Sequence, residues 1–326
     1  MQAMVQKVLV LGGTGFVGRH VCEKLARLQI AITVPTRRRS RGSAVATLPT
    51  LQLVEADIHD PTCLQELVTG HDAVVNLVAI LQGNEAAFER THVQLSEKLA
   101  RACEQAGVRR VVHVSALGAD IRNPQALPSM YLRSKSRGEQ VLHRAALDLT
   151  LIRPSVIFGA EDRFLNTFAD LQQLAPFVPL AGAHSRLQPV WVEDVASAVV
   201  ACLAGPHAQG SIGQIYEAFG PEVYTLAQLV GLAGRIGGVA HGRGRPVFAL
   251  PDALARIQAR LMELMPGEPL LSRDNLDSLT VPNVATGHHP GLQALGITAA
   301  SLLAIAPGYL GHKGRRSGLM ALRQGR

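Results

Sequence analysis

Apolar residues come in short blocks at regular intervals along the first 200 positions. The runs Val5–Leu11, Ile30–Val34, Leu51–Val54, Ala73–Val78, Val111–Val114 and Leu149–Ile152 are mostly continuous rather than alternating, the pattern of strands buried on both faces of a parallel sheet. Between them the spacing shifts to helical intervals, over Val21, Leu25 and Leu28, over Val93–Ala106 and over Ser134–Ala146, which predicts helices with one apolar stripe. Such alternation predicts an α/β fold built on a doubly wound parallel sheet with right-handed crossovers. The rhythm fades after about residue 205. Gly231–Pro246 is rich in glycine and arginine and reads as a mobile basic loop; Ala253–Leu264 reads as an amphipathic helix closed by Pro266-Gly267. The expected division is a nucleotide-binding domain over 1–205, a smaller C-terminal lobe over 206–310 at the carboxyl edge of the sheet, where ligands bind in such folds, and a poorly ordered basic tail over 311–326.

Composition narrows the function classes. At 326 residues and 47% hydrophobic the chain can bury a large core, which excludes disorder. Aromatics at 4% leave few stacking platforms for single-stranded nucleic acid, and no nucleic-acid motif is present. The net charge of +7 is concentrated in Arg37-Arg38-Arg39-x-Arg41 and beyond Lys313, clusters suited to a phosphorylated cofactor or an anionic membrane surface. Cys22, Cys63, Cys103 and Cys202 are scattered and read as small hydrophobes of a reducing compartment. No apolar run reaches the roughly 18 residues of a membrane span, and the first strand starts too early for a signal peptide, so a cytoplasmic protein is expected. The histidines form no ligand constellation, His288-His289 lies between turn signals, and no metal site is predicted.

The chemistry begins at Lys7-Val-Leu-Val-Leu-Gly-Gly-Thr-Gly-Phe-Val-Gly18. A strand runs into Gly12-x-x-Gly15-x-x-Gly18 and straight on into a helix, the arrangement that aims backbone N–H groups and a helix N-terminus at a pyrophosphate. Gly12 permits the tight turn, Gly15 lets phosphate approach, and Gly18 lets the helix pack closely on the strand. Thr14, Phe16 and Val17 complete this dinucleotide-binding loop. After the second strand an acidic residue would accept from a ribose 2′-OH, but Arg37 and Arg38 stand there, and a guanidinium suits a 2′-phosphate. NADP(H) is therefore favoured, with NAD(H) and a merely solvated basic loop as alternatives. Asp57 after the third strand can accept from the adenine amino group, with Ile58 packing on the ring; ending a strand is its plainer role. Val78 and Ala79 close the fourth strand and would bring backbone near the riboses.

Tyr131 and Lys135 stand four residues apart at the start of a helical run, hence on one face. A nearby ammonium would favour the phenolate and lower the tyrosine pKa toward a usable range, and Lys135 could also hold the nicotinamide ribose. With these residues in place the chain resembles the short-chain dehydrogenase/reductase superfamily in its extended or atypical, epimerase/dehydratase-like branch. The resemblance rests on Gly12–Gly18, Asp57-Ile58, Asn76-Leu-Val-Ala79, Tyr131-x-x-x-Lys135, Leu151-Ile-Arg-Pro154 and Gln188-Pro-Val-Trp-Val-Glu-Asp-Val195. Within it, Tyr131–Glu139 and Arg153–Asn166 are similar to the NADPH-binding accessory subunit of respiratory complex I and its bacterial relatives. The resemblance covers roughly residues 7–200. It implies a Rossmann fold, NADP(H), Tyr131 as acid/base with Lys135 as its partner, Pro154 beside the nicotinamide, and Arg163 and Arg186 facing the substrate cleft. One departure stands out: the active-site serine or threonine follows the fifth strand inside a serine-rich run, whereas here Ser115 is alone in Val114-Ser115-Ala116-Leu117. Ser115 either polarises a substrate carbonyl or only caps the strand end, with Leu117 in the usual donor's place. Two readings follow: a reductase, dehydrogenase or epimerase on an unknown small molecule, or a non-turnover NADPH-binding accessory protein of a respiratory or quinone-related membrane complex, peripheral to the inner face of the membrane.

Overall fold

In the computed structural model the described residues are 5–264 and 271–310; the basic tail and Pro266-Gly267 lie outside them. Six predicted strands are present: β1 (Lys7–Leu11), β2 (Ala31–Thr36), β3 (Leu51–Glu55), β4 (Ala73–Asn76), β5 (Arg110–Val114) and β6 (Asp148–Pro154). A seventh, β7 (Ile215–Ala218), carries Glu217 in a four-residue stretch too short to show a period. All pair in parallel in the order β7-β6-β5-β4-β1-β2-β3. The reversal beside β1 makes the sheet doubly wound.

Alternating side chains sort to two layers. Leu9 and Leu11, Val74, Val111, and Leu149 and Leu151 share a buried cluster with helices α2 (Pro61–Val68), α3 (Leu95–Ala106) and α4 (Met130–Arg144). On the other side helix α1 (Phe16–Arg27) packs against the helix Val192–Leu203. Leu28, expected on the apolar stripe of α1, lies just past its end and is exposed, because the chain turns there through Gln29 at φ +59°. A π-helical turn, Glu89–Gln94, leads into α3.

Contacts divide the chain into two units, each assembled from separate stretches. The first comprises 1–154, 192–218 and 286–298; the second comprises 155–191, 219–285 and 299–326. The second unit has its own apolar core, in which the helices Leu165–Leu174 and Leu226–Ile236 pack together with residues 302–310. The expected loop Gly231–Pro246 starts later: Gly231 and Gly234 sit inside the helix Leu226–Ile236. A Thr225–Gln228 capping box starts that helix, and its apolar face outweighs the two glycines. Ala253–Leu264 corresponds to the helix Asp252–Glu263.

Candidate functional site

The three glycines differ in what surrounds them. Gly12 has φ +82°, and a Cβ there would press on the Leu77 carbonyl carbon at 3.2 Å and Val78 N at 3.3 Å. The turn thus lies directly on the exit of β4, in a backbone region open mainly to glycine. Gly18 allows the close packing expected of it: an added Cβ would run into Gly12 O and Gly13 Cα. Gly15 is exposed, and only Gly12 O comes within 4 Å of a Cβ placed there. It is also the N-cap of α1, with no side-chain cap and no acid in the first turn. Such an end leaves backbone donors and a positive dipole end for an anion.

At the outer end of the sheet, Arg37, Glu55, Ala56 and Asp57 line an open pocket of about 350 Å³. Arg37 and Arg38 are exposed, and Thr36 Oγ1 donates to Arg38 O at 3.0 Å to turn the chain. Asp57 Oδ1 accepts from His59 N at 2.9 Å. Ile58 and Val78 pack against the apolar cluster under α2 and α3. The sequence offered no carboxylate after β2, yet parallel pairing sets Thr36 beside Glu55 and so supplies one from β3. Positive groups also gather: burial, then Arg90, Lys98 and Arg37, outweigh Asp57 and pull the His59 pKa below its usual range, and Lys98 Nζ donates to His59 O at 2.7 Å. Arg90 and Lys98 come from the π-turn and α3, and no spacing rule connects them to Arg37.

The carboxyl end of β5 carries the second cluster. Ser115 is buried, and its Oγ has no hydrogen-bond partner among the described residues. It therefore does not cap the strand, whose backbone continues through Ser115 N to Ile152 O at 2.7 Å and Leu117 N to Pro154 O at 2.9 Å. Pro154 accordingly lies within β6 rather than after it. Lys135 is 1% exposed and donates through Nζ to Val114 O at 2.9 Å. Burial pulls its pKa from 10.5 to about 8, against the opposing pull of Glu139. Tyr131 lies in the first turn of α4, its ring edge-on to Phe88 at 6.2 Å and to His92 at 5.8 Å.

The Tyr131 pKa moves in the direction opposite to that expected. Burial pushes the Tyr131 phenol up to about 12, while the Lys135 ammonium donates to Val114 O at the end of β5. Beside the pair sits His92, buried on the π-turn, with Nδ1 to Ser134 Oγ at 2.8 Å and Nε2 accepting from Ile80 N at 3.2 Å. Burial and then Lys135 lower its pKa to about 3, so the imidazole is neutral. His113 on β5 is buried, its Nδ1 unpartnered among the described residues and its pKa well below normal through burial, then Lys135 and His92.

Below Lys135, Glu139 receives a buried bidentate pair from Arg153, with Nε at 3.0 Å and Nη2 at 2.6 Å. Arg153 Nη1 lies 3.5 Å from His289 Nε2. Glu217, also buried, accepts from Thr286 N at 2.8 Å and Thr286 Oγ1 at 2.5 Å. His92, Glu139 and Glu217 were invisible as site residues because their partners lie on separate elements. The period-two rule alone could have flagged His113, Ser115 and Arg153, since each falls in phase with apolar neighbours facing α4. Arg163 and Arg186 belong to the second unit, Arg186 in a short ladder opposite Thr225.

Elsewhere in the first unit, His20, Glu23 and Glu193 bring ligand atoms within 4.8 Å of one another. Glu193 is already engaged by His20 Nδ1 at 2.6 Å and Lys24 Nζ at 2.7 Å, which makes this an ion-pair network tying α1 to its neighbour. The four thiols are free; Cys22, Cys103 and Cys202 are buried, and burial pushes Cys22 and Cys103 up to about 12 and Cys202 to about 11.

Residues 12–206 match the model of a family described as NAD(P)H-binding. The mitochondrial NADH dehydrogenase (ubiquinone) 1 alpha subcomplex subunit 9 of Rattus norvegicus is 32% identical over 300 residues, 90% of this chain and 76% of that protein. A ceramide reductase of Caulobacter vibrioides is 28% identical over 200 residues, 61% of each. Among solved structures, an NADPH-dependent quinone oxidoreductase of Escherichia coli in complex with NADPH superposes with a TM-score of 0.74 at 18% identity, over 93% of this chain and 99% of that one.

Proposed function

This chain belongs to the NAD(P)H-binding, epimerase/dehydratase-like branch of the short-chain dehydrogenase/reductase superfamily and is homologous to the complex I alpha subcomplex subunit 9 proteins; from that premise we propose that it binds NADP(H) and acts as a reductase, dehydrogenase or epimerase on a small molecule. The observation that carries the proposal is the end of β5, where a fully buried ammonium, Lys135, stands next to a buried hydroxyl, Ser115, with no partner among the described residues. Isolated buried polar groups are costly, and a substrate and a ribose would satisfy them. The glycine cradle, which a Cβ would close at Gly12 and Gly18, fits a pyrophosphate.

On this reading Gly12–Gly18 and the N-terminus of α1 bind the pyrophosphate. Arg37, with Arg38 beside it, binds the 2′-phosphate in a field strengthened by Arg90 and Lys98, while Asp57 takes the adenine amino group. Val78, Ala79 and Pro154 line the path to the nicotinamide, and Lys135 holds its ribose. The bound cofactor supplies hydride donation or acceptance at the nicotinamide. Tyr131 Oη exchanges the proton with the substrate oxygen, and Ser115 Oγ donates a hydrogen bond to it. A phenol whose pKa is pushed up to about 12 is a weak acid that stays protonated near neutrality, so turnover requires the ligands to shift it downward.

One observation favours a second reading, a non-turnover NADPH-binding accessory protein at the inner face of a membrane as part of a respiratory or quinone-related complex: the mitochondrial relative is named as a complex subunit. Native mass spectrometry of the purified protein tests the shared premise, with co-purified NADPH as the expected result. Tyr131→Phe separates the readings. If Tyr131 is the acid/base, NADPH binding persists while activity on quinones, ketones or aldehydes falls about a hundredfold or more. Unchanged turnover in Tyr131→Phe refutes the acid/base role, and bound NADPH that no member of such a panel oxidises favours the accessory reading.

A further inference from the structure

The helix Asp252–Glu263 in the second unit is built inside out. The residues it buries are small, Ala255 and Ala259, seated with Ala181 and Leu276. Its large apolar residues face outward: Leu254 is 53% exposed, Ile257 57%, Leu261 61% and the C-cap Leu264 78%. At 3.6 residues per turn these four fall within an arc of about 80°, a continuous stripe rather than scattered exposure. The strand Val247–Ala249 feeds this helix and presents Phe248, which is edge-on to Phe177 at 6.0 Å, both rings half exposed or nearly so. An apolar surface of this extent marks a contact face.

Charge identifies what covers it. From Arg235 to Leu264 the chain carries Arg235, Arg243, Arg245, Arg256 and Arg260 against Asp252 and Glu263. Glu263 is occupied by Arg273 at 2.8 Å, whereas Arg235, Arg243 and Arg260 form no ion pair among the described residues. A second copy docked through the same face would set these arginines against their own counterparts. An anionic lipid surface neutralises them and takes up the leucines. The helix is 12 residues long, and no helix among the described residues is long and apolar enough to cross a membrane, so it would lie in the interface plane. We infer that the Asp252–Leu264 face, with Phe177 and Phe248, is a docking surface for an anionic bilayer. This inference does not rest on cofactor binding, and loss of either leaves the other standing.

The test uses the full chain with vesicles of phosphatidylcholine, with or without phosphatidylglycerol, in a sedimentation assay at low and high salt. The protein sediments with the anionic vesicles at low salt and is released as salt rises. Ile257→Ser/Leu261→Ser, which leaves the alanine seat intact, weakens this binding roughly tenfold or more, as does Arg243→Gln/Arg260→Gln, with circular dichroism unchanged in both. Three results overturn the inference: no binding of the parent protein; equal binding by Ile257→Ser/Leu261→Ser, which assigns attachment to another part of the chain; or a vesicle-independent dimer that the same substitutions abolish, which assigns the face to a second copy.

Discussion

Lys135→Met should make the protein more stable at neutral pH and less stable in alkali. The fall of the Lys135 pKa from 10.5 to about 8, at about 1.4 kcal/mol per tenfold, means that the buried charge costs the fold roughly 3 kcal/mol. Below pH 8 both folded and unfolded chains hold the proton, and the whole cost is present. Between about 8 and 10.5 the unfolded chain binds more protons than the folded one, so stability rises with pH. Above 10.5 the cost is gone. Methionine fills a similar volume without the charge but leaves Val114 O without its donor, a loss of about 1–3 kcal/mol. The Glu139–Arg153 pair survives the change. The expected net effect is a gain of up to about 2 kcal/mol at pH 7, turning into a loss of about 1–3 kcal/mol once the pH passes 10.5. Urea unfolding of parent and variant at both pH values measures it, and other titrating groups cancel in the difference. A variant less stable than the parent at pH 7, or a difference that does not change with pH, would refute the reasoning.

Three further substitutions probe other parts of the site. Arg37→Ala should weaken NADPH about ten- to a hundredfold and NADH little, as read by calorimetric titration; equal weakening of both removes the 2′-phosphate assignment. Gly18→Ala should abolish nucleotide binding and destabilise by about 1–3 kcal/mol, since the methyl meets backbone that cannot swing aside. Glu139→Gln leaves the Arg153 charge buried and should cost about 3–5 kcal/mol in urea unfolding, while Glu139→Gln/Arg153→Met recovers most of it.

The fold was legible because its strands are short, continuous apolar runs whose order of appearance sets the winding. β7 was not, because Ile215-Tyr-Glu-Ala is brief and its central acid reads as surface until Thr286 is brought beside it. The glycine loop was legible as a tight turn at Gly12 and a close packing point at Gly18, since strand, turn and helix are contiguous and φ +82° at Gly12 is a local demand. Tyr131 and Lys135 were found by helical spacing, but spacing sets only a shared face. It cannot show that Lys135 reaches back to Val114, or that burial raises the Tyr131 pKa. Likewise Arg37 could be found beside β2, whereas Glu55, Arg90 and Lys98 reach its neighbourhood from elements far away in the chain.

The interleaving of the two units carries a consequence for synthesis on the ribosome. The strands up to β6 are complete when residue 154 has emerged, yet β7 comes from residues 215–218 and the partners of Arg153 and Glu217 from 286–298. During that interval β6 is an open edge of a parallel sheet, a template for pairing with any other extended chain. Arg153 waits without His289, held by Glu139 alone. The nascent chain must therefore keep a nearly finished sheet from associating while it makes the first stretch of the second unit, residues 155–191, and a chain ending anywhere between Pro154 and Ile215 would keep that edge for good.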